Sequence, residues 1–230
     1  LVKDIIKISK DNSIKALVLR VNSPGGSAYG SEQIWAALEE VKKAGKPFAV
    51  SMGDLAASGG YYMSCGADYI FADAMTLTGS IGIFGLVPDA SGLLTEKLGL
   101  HFDVVKTNEA ADFGATGRPF NAAESAAMQA HVERGYALFL KRVAEGRNMS
   151  VAAVDSIAQG RVWTGAQAVN LKLVDKLGGL DAAVAEAARR AKVKDYEVAA
   201  YPAAPSWMDG LMQQVQDDYL ENRLQSFLGE

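Results

Sequence analysis

The stretch ALVLRVNSPGGSAYGSEQIWAALEEVKKAGKPFAVSM, residues 16–52, contains the pattern of a strand, a helix and a second strand. The apolar runs ALVLRV at 16–21 and FAVSM at 48–52 are typical of buried strands. The helical segment between them places its apolar residues on one face: Ile34, Ala37, Leu38 and Val41. Gly45 and Pro47 then provide a stop signal. We therefore predict a βαβ unit with a right-handed crossover.

The same alternation continues outward from this unit and favours a largely parallel sheet. Further strands are predicted for YIFA at 69–72, IGIFGLV at 81–87, FDVV at 102–105 and a segment at about 196–201. Helices are predicted at LVKDIIKISKDN, from Asn121 to about Glu145 with Glu124 completing a capping box, after Ser150, after Thr164 and at LDAAVAEAARRA. The fold class is α/β.

Two regions are predicted along the chain. Residues 1–202 form the α/β domain, and 203–230 form an amphipathic helical extension with apolar residues at a helical period. That extension either folds back on its own core or docks on another subunit. The chain begins at Leu1 inside a helical pattern, which predicts that a further segment lies upstream.

Composition narrows the class of function. The net charge is −4 and the basic residues are scattered, which argues against a nucleic acid partner. One cysteine and two histidines cannot build a Cys/His metal cage, so we expect no metal and no cofactor. No apolar run reaches the length of a membrane span, and we expect this chain by itself to be soluble.

Two glycine-rich turns follow the strands of the βαβ unit. In VNSPGGS, Gly25 and Gly26 expose backbone N–H groups that can hold an oxyanion, although a ligand-free turn is the better explanation of a PGG taken alone. In MGDLAASGGYYMS, Ser58 stands where a nucleophile belongs, and the Gly59 N–H could complete the oxyanion hole. The alternative is that Ser58 only caps a helix. Because successive parallel strands end at one sheet edge, we predict that the two turns meet.

A serine nucleophile needs a base. Ser80, in TLTGSIGIF, could orient such a base, or could simply satisfy its own turn. His101 opens an apolar run and His131 lies among polar residues of a helix, and neither has a residue in sequence that would fix its orientation. We assign the base to neither histidine.

Together these motifs resemble the signal peptide peptidase A family, Ser/Lys proteases of the Clp-protease/crotonase superfamily. The resemblance rests on VNSPGG, MGDLAASGGYYMS, TLTGSIGIFG, GRPF and IAQGRVWTGAQAVNLKLVDKLGG, and it spans about residues 14–200. It implies a Clp-protease/crotonase-like fold, Ser58 as nucleophile, Gly26 and Gly59 at the oxyanion turns, and Ser80 as the serine that hydrogen-bonds the base.

One position departs from the family pattern. Short members carry the lysine base in a loop where this chain has Ala111, and no lysine occurs between Lys106 and Lys141. Double-length members carry the lysine in the N-terminal copy and the serine in the C-terminal copy, which this chain resembles. Lys106 is the alternative base, but a lysine at a strand end is normally solvated.

The resemblance implies peptidase action on remnant signal peptides at the periplasmic face of the inner membrane, in a homo-oligomer anchored by a segment outside this chain. An apolar site lined by Leu55, Ile81 and Ile83, beside Gly25, suits an apolar peptide and a desolvated lysine. Two other hypotheses are a non-catalytic half that builds an oligomer and a crotonase-type acyl-CoA enzyme. The latter lacks a suitably placed acidic pair and a basic patch for CoA phosphates.

Overall fold

A computed structural model describes residues 1–115 and 117–202. It contains seven α-helices in the described residues: α1 (Val2–Lys10), α2 (Ala28–Lys43), α3 (Gly59–Ser64), α4 (Ala122–Arg147), α5 (Val151–Ile157), α6 (Gly165–Asn170) and α7 (Leu180–Ala191). A short π-helix spans Gly92–Lys97.

The same residues form a six-stranded sheet: β1 (Leu17–Ser23), β2 (Phe48–Ala57), β3 (Tyr69–Ala72), β4 (Leu77–Gly79), β5 (Val162–Thr164) and β6 (Lys176–Leu177). The strand order is β5-β4-β2-β3-β6, and β1 pairs with β2. Every pair is parallel except β4 with β5, which is antiparallel.

The long strand β2 changes partner part-way along its length. Its first half pairs with β3, beginning at Ala49 opposite Tyr69, and its last residues, 55–57, pair with β4. Strand β1 accompanies β2 over most of this length, with a register irregularity between Val21 and Ser23. The sheet therefore divides along β2, where the neighbouring strand changes from β3 to β4. Ser58 directly follows the residues of β2 that pair with β4.

The helices enclose the sheet through their apolar faces. Val41 of α2, Val50 of β2, Ile70 of β3 and Val143 of α4 are all fully buried in one core cluster. Burial of such side chains stabilises each by about 1.5–3 kcal/mol, which holds the strand ends in fixed positions. Within the described residues, no helix is long and apolar enough to cross a lipid bilayer.

Most of the predicted elements are confirmed, and the α/β class with a Clp-protease/crotonase-like sheet agrees with the structure. The strands predicted at 16–21, 48–52 and 69–72 are β1, β2 and β3. The capping box at Asn121 is present in both directions, with Glu124 N–H donating to Asn121 Oδ1 at 2.9 Å and Asn121 N–H donating to the Glu124 carboxylate at 2.9 Å.

Three strand predictions are wrong. Residues 81–87, 102–105 and 196–201 have no regular strand structure. In the first of these segments Phe84 is 90% exposed, and in the second Val105 is 99% exposed. An apolar run becomes a strand only where a neighbouring strand pairs with its backbone and covers one face, and these runs have no such neighbour in the described structure. The extension predicted at 203–230 lies outside the described residues.

Candidate active site

Ser58 links β2 to α3 in a rare backbone conformation. Its φ is 51° and its ψ is −119°, values that a residue with a side chain rarely adopts. Ser58 occupies the N-cap position of α3, yet its side chain makes no capping hydrogen bond. The residue is half-buried and so keeps part of its surface exposed. Capping of α3 therefore does not account for the serine at this position.

The two glycine-rich turns meet at Ser58. A Cβ atom on Gly25 would lie 2.7 Å from the Gly59 nitrogen and 2.8 Å from the Ser58 Cβ, so only glycine permits this approach. A Cβ atom on Gly59 would lie 3.3 Å from the Gly26 nitrogen and would collide with Ser31 Oγ. The turns lie side by side, as expected from parallel strands that end at one edge.

The backbone N–H groups of this junction suit an anion. Gly59 is the first residue of α3, where the N–H group has no partner within the helix. Gly26 is exposed, with φ at 149°, and no atom lies within 4 Å of its would-be Cβ. The oxyanion role of Gly26 and Gly59 stays a prediction; the two residues lie close to each other, and Gly59 directly follows Ser58.

Ser80 lies at the end of the strand beside the nucleophile candidate. Strand β4 pairs with the end of β2, with Ala57 opposite Gly79. The Ser58 N–H donates to the Gly79 carbonyl at 2.9 Å, and the Ser80 N–H donates to the Arg161 carbonyl at 2.7 Å. Ser80 has a left-handed φ of 48° and is half-buried. Ser58 and Ser80 thus each directly follow the last residue of one of two adjacent strands, β2 and β4.

The predicted substrate contacts differ in exposure. Gly25, Leu55 and Ile83 are half-buried and retain surface that a ligand can touch. Ile81 is fully buried and belongs to the hydrophobic core. Because Ile81 has no exposed surface, it cannot contact a substrate directly, and the prediction that it does is wrong.

No base from the described residues is hydrogen-bonded to Ser58. His101 and His131 are both exposed. Lys106 forms an ion pair with Asp112 at 2.8 Å, and hydrogen bonds from Arg118 and then from Lys106 hold the pKa of Asp112 well below its usual range. Lys106 is therefore paired with Asp112 and not with Ser58.

Comparison with known proteins identifies the family. The model of peptidase family S49 matches residues 40–194, which is more than half of the chain and includes Ser58 and Ser80. The chain belongs to peptidase family S49. The ordered motifs that suggested signal peptide peptidase A fall largely inside the matched residues.

The curated relatives carry protease names. The chain is 46% identical to "Protease 4" of Salmonella typhi and 48% identical to "Protease 4" of Haemophilus influenzae, with 88% and 79% of the chain aligned. It is 38% identical to "Putative signal peptide peptidase SppA" of Enterococcus faecium, of which the match covers 60%. The chain spans about a third of the length of the two Protease 4 relatives, at 32% and 29%.

Two other kinds of site on this S49 chain would be a metal centre or a surface depression away from Ser58. Among the described residues, no three His, Cys, Asp or Glu side chains come together as a metal site. Two open surface depressions of about 510 and 290 Å³ share Lys42 and Asp68, and the larger is also lined by Pro47, which precedes β2. Both lie at the opposite end of β2 from Ser58, and charged side chains contribute to the lining of each.

Sequence reasoning missed the residues that support the turns. Trp163 contacts Gly79, and Ser31 contacts Gly59. Tyr62, one helical turn after Ser58, hydrogen-bonds Glu32, and Arg142 donates to the same carboxylate at 2.6 Å. The signal available in sequence was the motif IAQGRVWTG, whose glycine and tryptophan had no assigned role.

Proposed function

We propose that this chain is the serine-bearing part of a Ser/Lys endopeptidase that cleaves apolar peptides, with remnant signal peptides as the substrate class. The observation that carries the proposal is Ser58, a half-buried residue in a strained conformation whose side chain makes no capping bond and against which Gly25 of the other glycine-rich turn is packed. Strain of this kind costs about 1–3 kcal/mol and is characteristic of functional positions.

The reaction is acyl transfer. A neutral lysine amine accepts the Ser58 proton, the serine oxygen attacks the peptide carbonyl carbon, and the N–H groups of Gly26 and Gly59 hold the resulting oxyanion. The scissile C–N bond then breaks as the leaving amine takes the proton from the lysine. Water then attacks the acyl carbon and passes one proton to the lysine; the bond between the Ser58 oxygen and the acyl carbon breaks, the lysine returns that proton to the Ser58 oxygen, and the carboxylic product leaves.

The lysine comes from a segment outside this chain. A lysine base must be desolvated to bring its pKa from about 10.4 toward neutrality. Lys46 is buried, and its amine donates to the backbone carbonyl oxygens of Ile8 and Asp11, at 2.5 and 2.7 Å. Lys106 is paired with Asp112. Neither lysine is hydrogen-bonded to Ser58, so neither supplies the base that the reaction requires.

The substrate class follows from the character of the surface. Leu55 and Ile83 retain partial exposure in the predicted site, and the strand-poor segment beyond them presents Phe84 and Leu86 at 90% and 85% exposure. Such surfaces favour an apolar peptide over a charged one. The name of the Enterococcus faecium relative points to the same class. We propose that the whole protein works in an oligomer at the periplasmic face of the inner membrane, anchored by another segment.

A serine-reactive phosphonate probe tests this proposal. We expect rapid labelling of Ser58 when the lysine-bearing segment is supplied, slow labelling of this chain alone, and none in Ser58→Ala. A lysine-to-methionine change in the added segment should reduce labelling to the level of the isolated chain. Full-rate labelling without that segment would contradict the claim that the base comes from elsewhere. Undiminished peptidase activity in Ser58→Ala would favour a purely structural role for this chain.

A further inference from the structure

Trp163 packs against Gly79, whose carbonyl accepts the Ser58 N–H. It lies on β5, opposite Thr78 of β4 in an antiparallel pair. A Cβ atom on the neighbouring Gly79 would lie 2.8 Å from the indole Cδ1 of Trp163, so the ring is packed directly against the glycine backbone. The Gly79 carbonyl in turn accepts the Ser58 N–H at 2.9 Å.

A second set of contacts fixes the other end of the same dipeptide. The Arg161 carbonyl accepts the Ser80 N–H at 2.7 Å, and the Gly160 N–H donates to the Ile81 carbonyl at 2.9 Å. Gly79 has a φ of 79° and Ser80 a φ of 48°, so two consecutive residues adopt left-handed backbone. Such a conformation persists only where the surroundings determine it.

The element that provides these contacts is itself held firmly. The Trp163 indole N–H donates to the Ile157 carbonyl at 3.0 Å. The Arg161 guanidinium donates to the carbonyls of Ala158 and Ser156, at 3.0 and 2.6 Å. The turn between α5 and β5 is thus tied to α5, and the indole is fixed in orientation.

We propose that Trp163 is a positioning residue for catalysis, acting on Ser58 through the Gly79 carbonyl and on Ser80 through the shared peptide unit. This inference rests on the proposed function of Ser58, but its structural half can be measured independently. Displacement of a reacting group by about 1 Å can lower a rate by about 100-fold, so a loosened Gly79 peptide should affect the chemical step more than substrate binding.

The test uses the chain together with its lysine-bearing segment and compares Trp163→Ala with Trp163→Phe. In Trp163→Ala we expect amide hydrogen exchange at Ser58 to accelerate at least about tenfold, because the N–H partner becomes mobile. We expect kcat to fall about 10- to 100-fold, with KM changed less than about threefold. Trp163→Phe keeps a flat ring against Gly79 and should retain both properties within about threefold.

Tyr69→Ala is the matched control. Tyr69 is also a half-buried aromatic residue on a strand, its ring centroid lies 4.9 Å from that of Phe71, and it pairs with Ala49 at the end of β2 remote from Ser58. We expect it to lower stability without changing exchange at Ser58. Should Trp163→Ala fail to fold, Trp163→Leu gives the same comparison with apolar volume kept and the ring removed.

The outcomes separate the two claims. Wild-type exchange at Ser58 in Trp163→Ala or Trp163→Leu, or equal effects from Tyr69→Ala, would overturn the positioning role. Faster exchange at Ser58 combined with no peptidase activity in the wild-type protein would retain the structural link and reject the proposed function instead.

Discussion

Gly25 and Ser58 touch so closely that a methyl group on the glycine would lie 2.8 Å from the serine Cβ. The φ of Gly25 is also positive, at 102°, so alanine there is both strained and crowded. We expect Gly25→Ala to lower the free energy of unfolding by about 2–4 kcal/mol and to abolish labelling of Ser58 by a serine-reactive probe. Urea unfolding and probe labelling measure the two effects.

Gly45→Ala is the control for that change. Gly45 has a similar positive φ, at 73°, but no atom lies within 4 Å of its would-be Cβ. It should cost about 1 kcal/mol of stability and leave labelling of Ser58 unchanged. Equal losses in the two variants would show that backbone strain, and not contact with the serine, is what matters at Gly25.

The strained backbone of Ser58 predicts a trade between stability and activity. Ser58→Gly and Ser58→Ala both remove the hydroxyl, but only glycine relieves the conformation with φ at 51°. We expect the glycine variant to be about 1 kcal/mol more stable than the alanine variant in urea unfolding, and both to be inactive. Identical stability of the two variants would argue against strain at this position.

The core of the fold was predictable from sequence because its elements carry complete local signals. Strands β1 to β3 each begin with an apolar run, and α4 begins with a capping box that needs only Asn121 and Glu124. The turn glycines and Ser58 were found from their position after two strands. These features depend on residues close together in sequence.

What sequence did not reveal depends on partners far along the chain. Strands β5 and β6 have three and two residues, and only pairing with β4 and β3 defines them. The support of Gly79 by Trp163 joins segments more than eighty residues apart. The run at 81–87 carries strand-forming residues without a pairing neighbour in the described structure, which is why its pattern misled.

Cys65 should be unreactive in the folded protein. It is fully buried, and burial raises the pKa of its thiol to about 12. Because only the thiolate reacts, we expect an alkylating reagent at pH 8 to modify Cys65 only as the chain unfolds. Labelling measured by mass spectrometry across a urea series should follow the unfolding curve. Rapid modification without urea would contradict the burial of this thiol.

The Arg118–Glu124 pair predicts a pH dependence of stability. Hydrogen bonds from Arg118 and then from the Asn121 N–H lower the pKa of Glu124 to about 2, from an ordinary value of 4.5. A depressed pKa means that the stabilisation is complete above about pH 4.5 and is lost as the pH falls toward 2. Urea unfolding between pH 5 and 2 should show this loss.

Glu124→Gln provides the comparison, since its amide oxygen can still accept hydrogen bonds from Arg118 and from the Asn121 backbone. The variant should be less stable at pH 5. Between pH 4.5 and 2 its free energy of unfolding should depend less steeply on pH, because its unfolding takes up about one proton fewer than that of the wild type. Parallel curves for the variant and the wild type would show that another carboxylate is responsible.

Tyr62 ties α3 to its neighbours through Glu32, which also accepts from Arg142. Burial and then the bond to Glu32 raise the pKa of Tyr62, so its hydroxyl remains a donor at ordinary pH. We expect Tyr62→Phe to cost about 1.5–3 kcal/mol in thermal or urea unfolding, because the bond is to a charged group. Tyr69→Phe removes a hydroxyl that has no hydrogen-bond partner within residues 1–115 and 117–202, and it should cost less than about 0.5 kcal/mol. A similar loss of stability in both variants would contradict a stabilising role for the hydrogen bond between Tyr62 and Glu32.

The division of the sheet around β2 makes that strand intolerant of changes in length. Side chains alternate between faces along a strand, so inserting one residue between Met52 and Leu55 would turn every later position over while leaving every earlier one in place. The half paired with β3 would keep its packing, and the half paired with β4 would present Ser58 on the wrong side. The number of residues from Phe48 to Ser58 therefore determines on which face of the sheet Ser58 is presented.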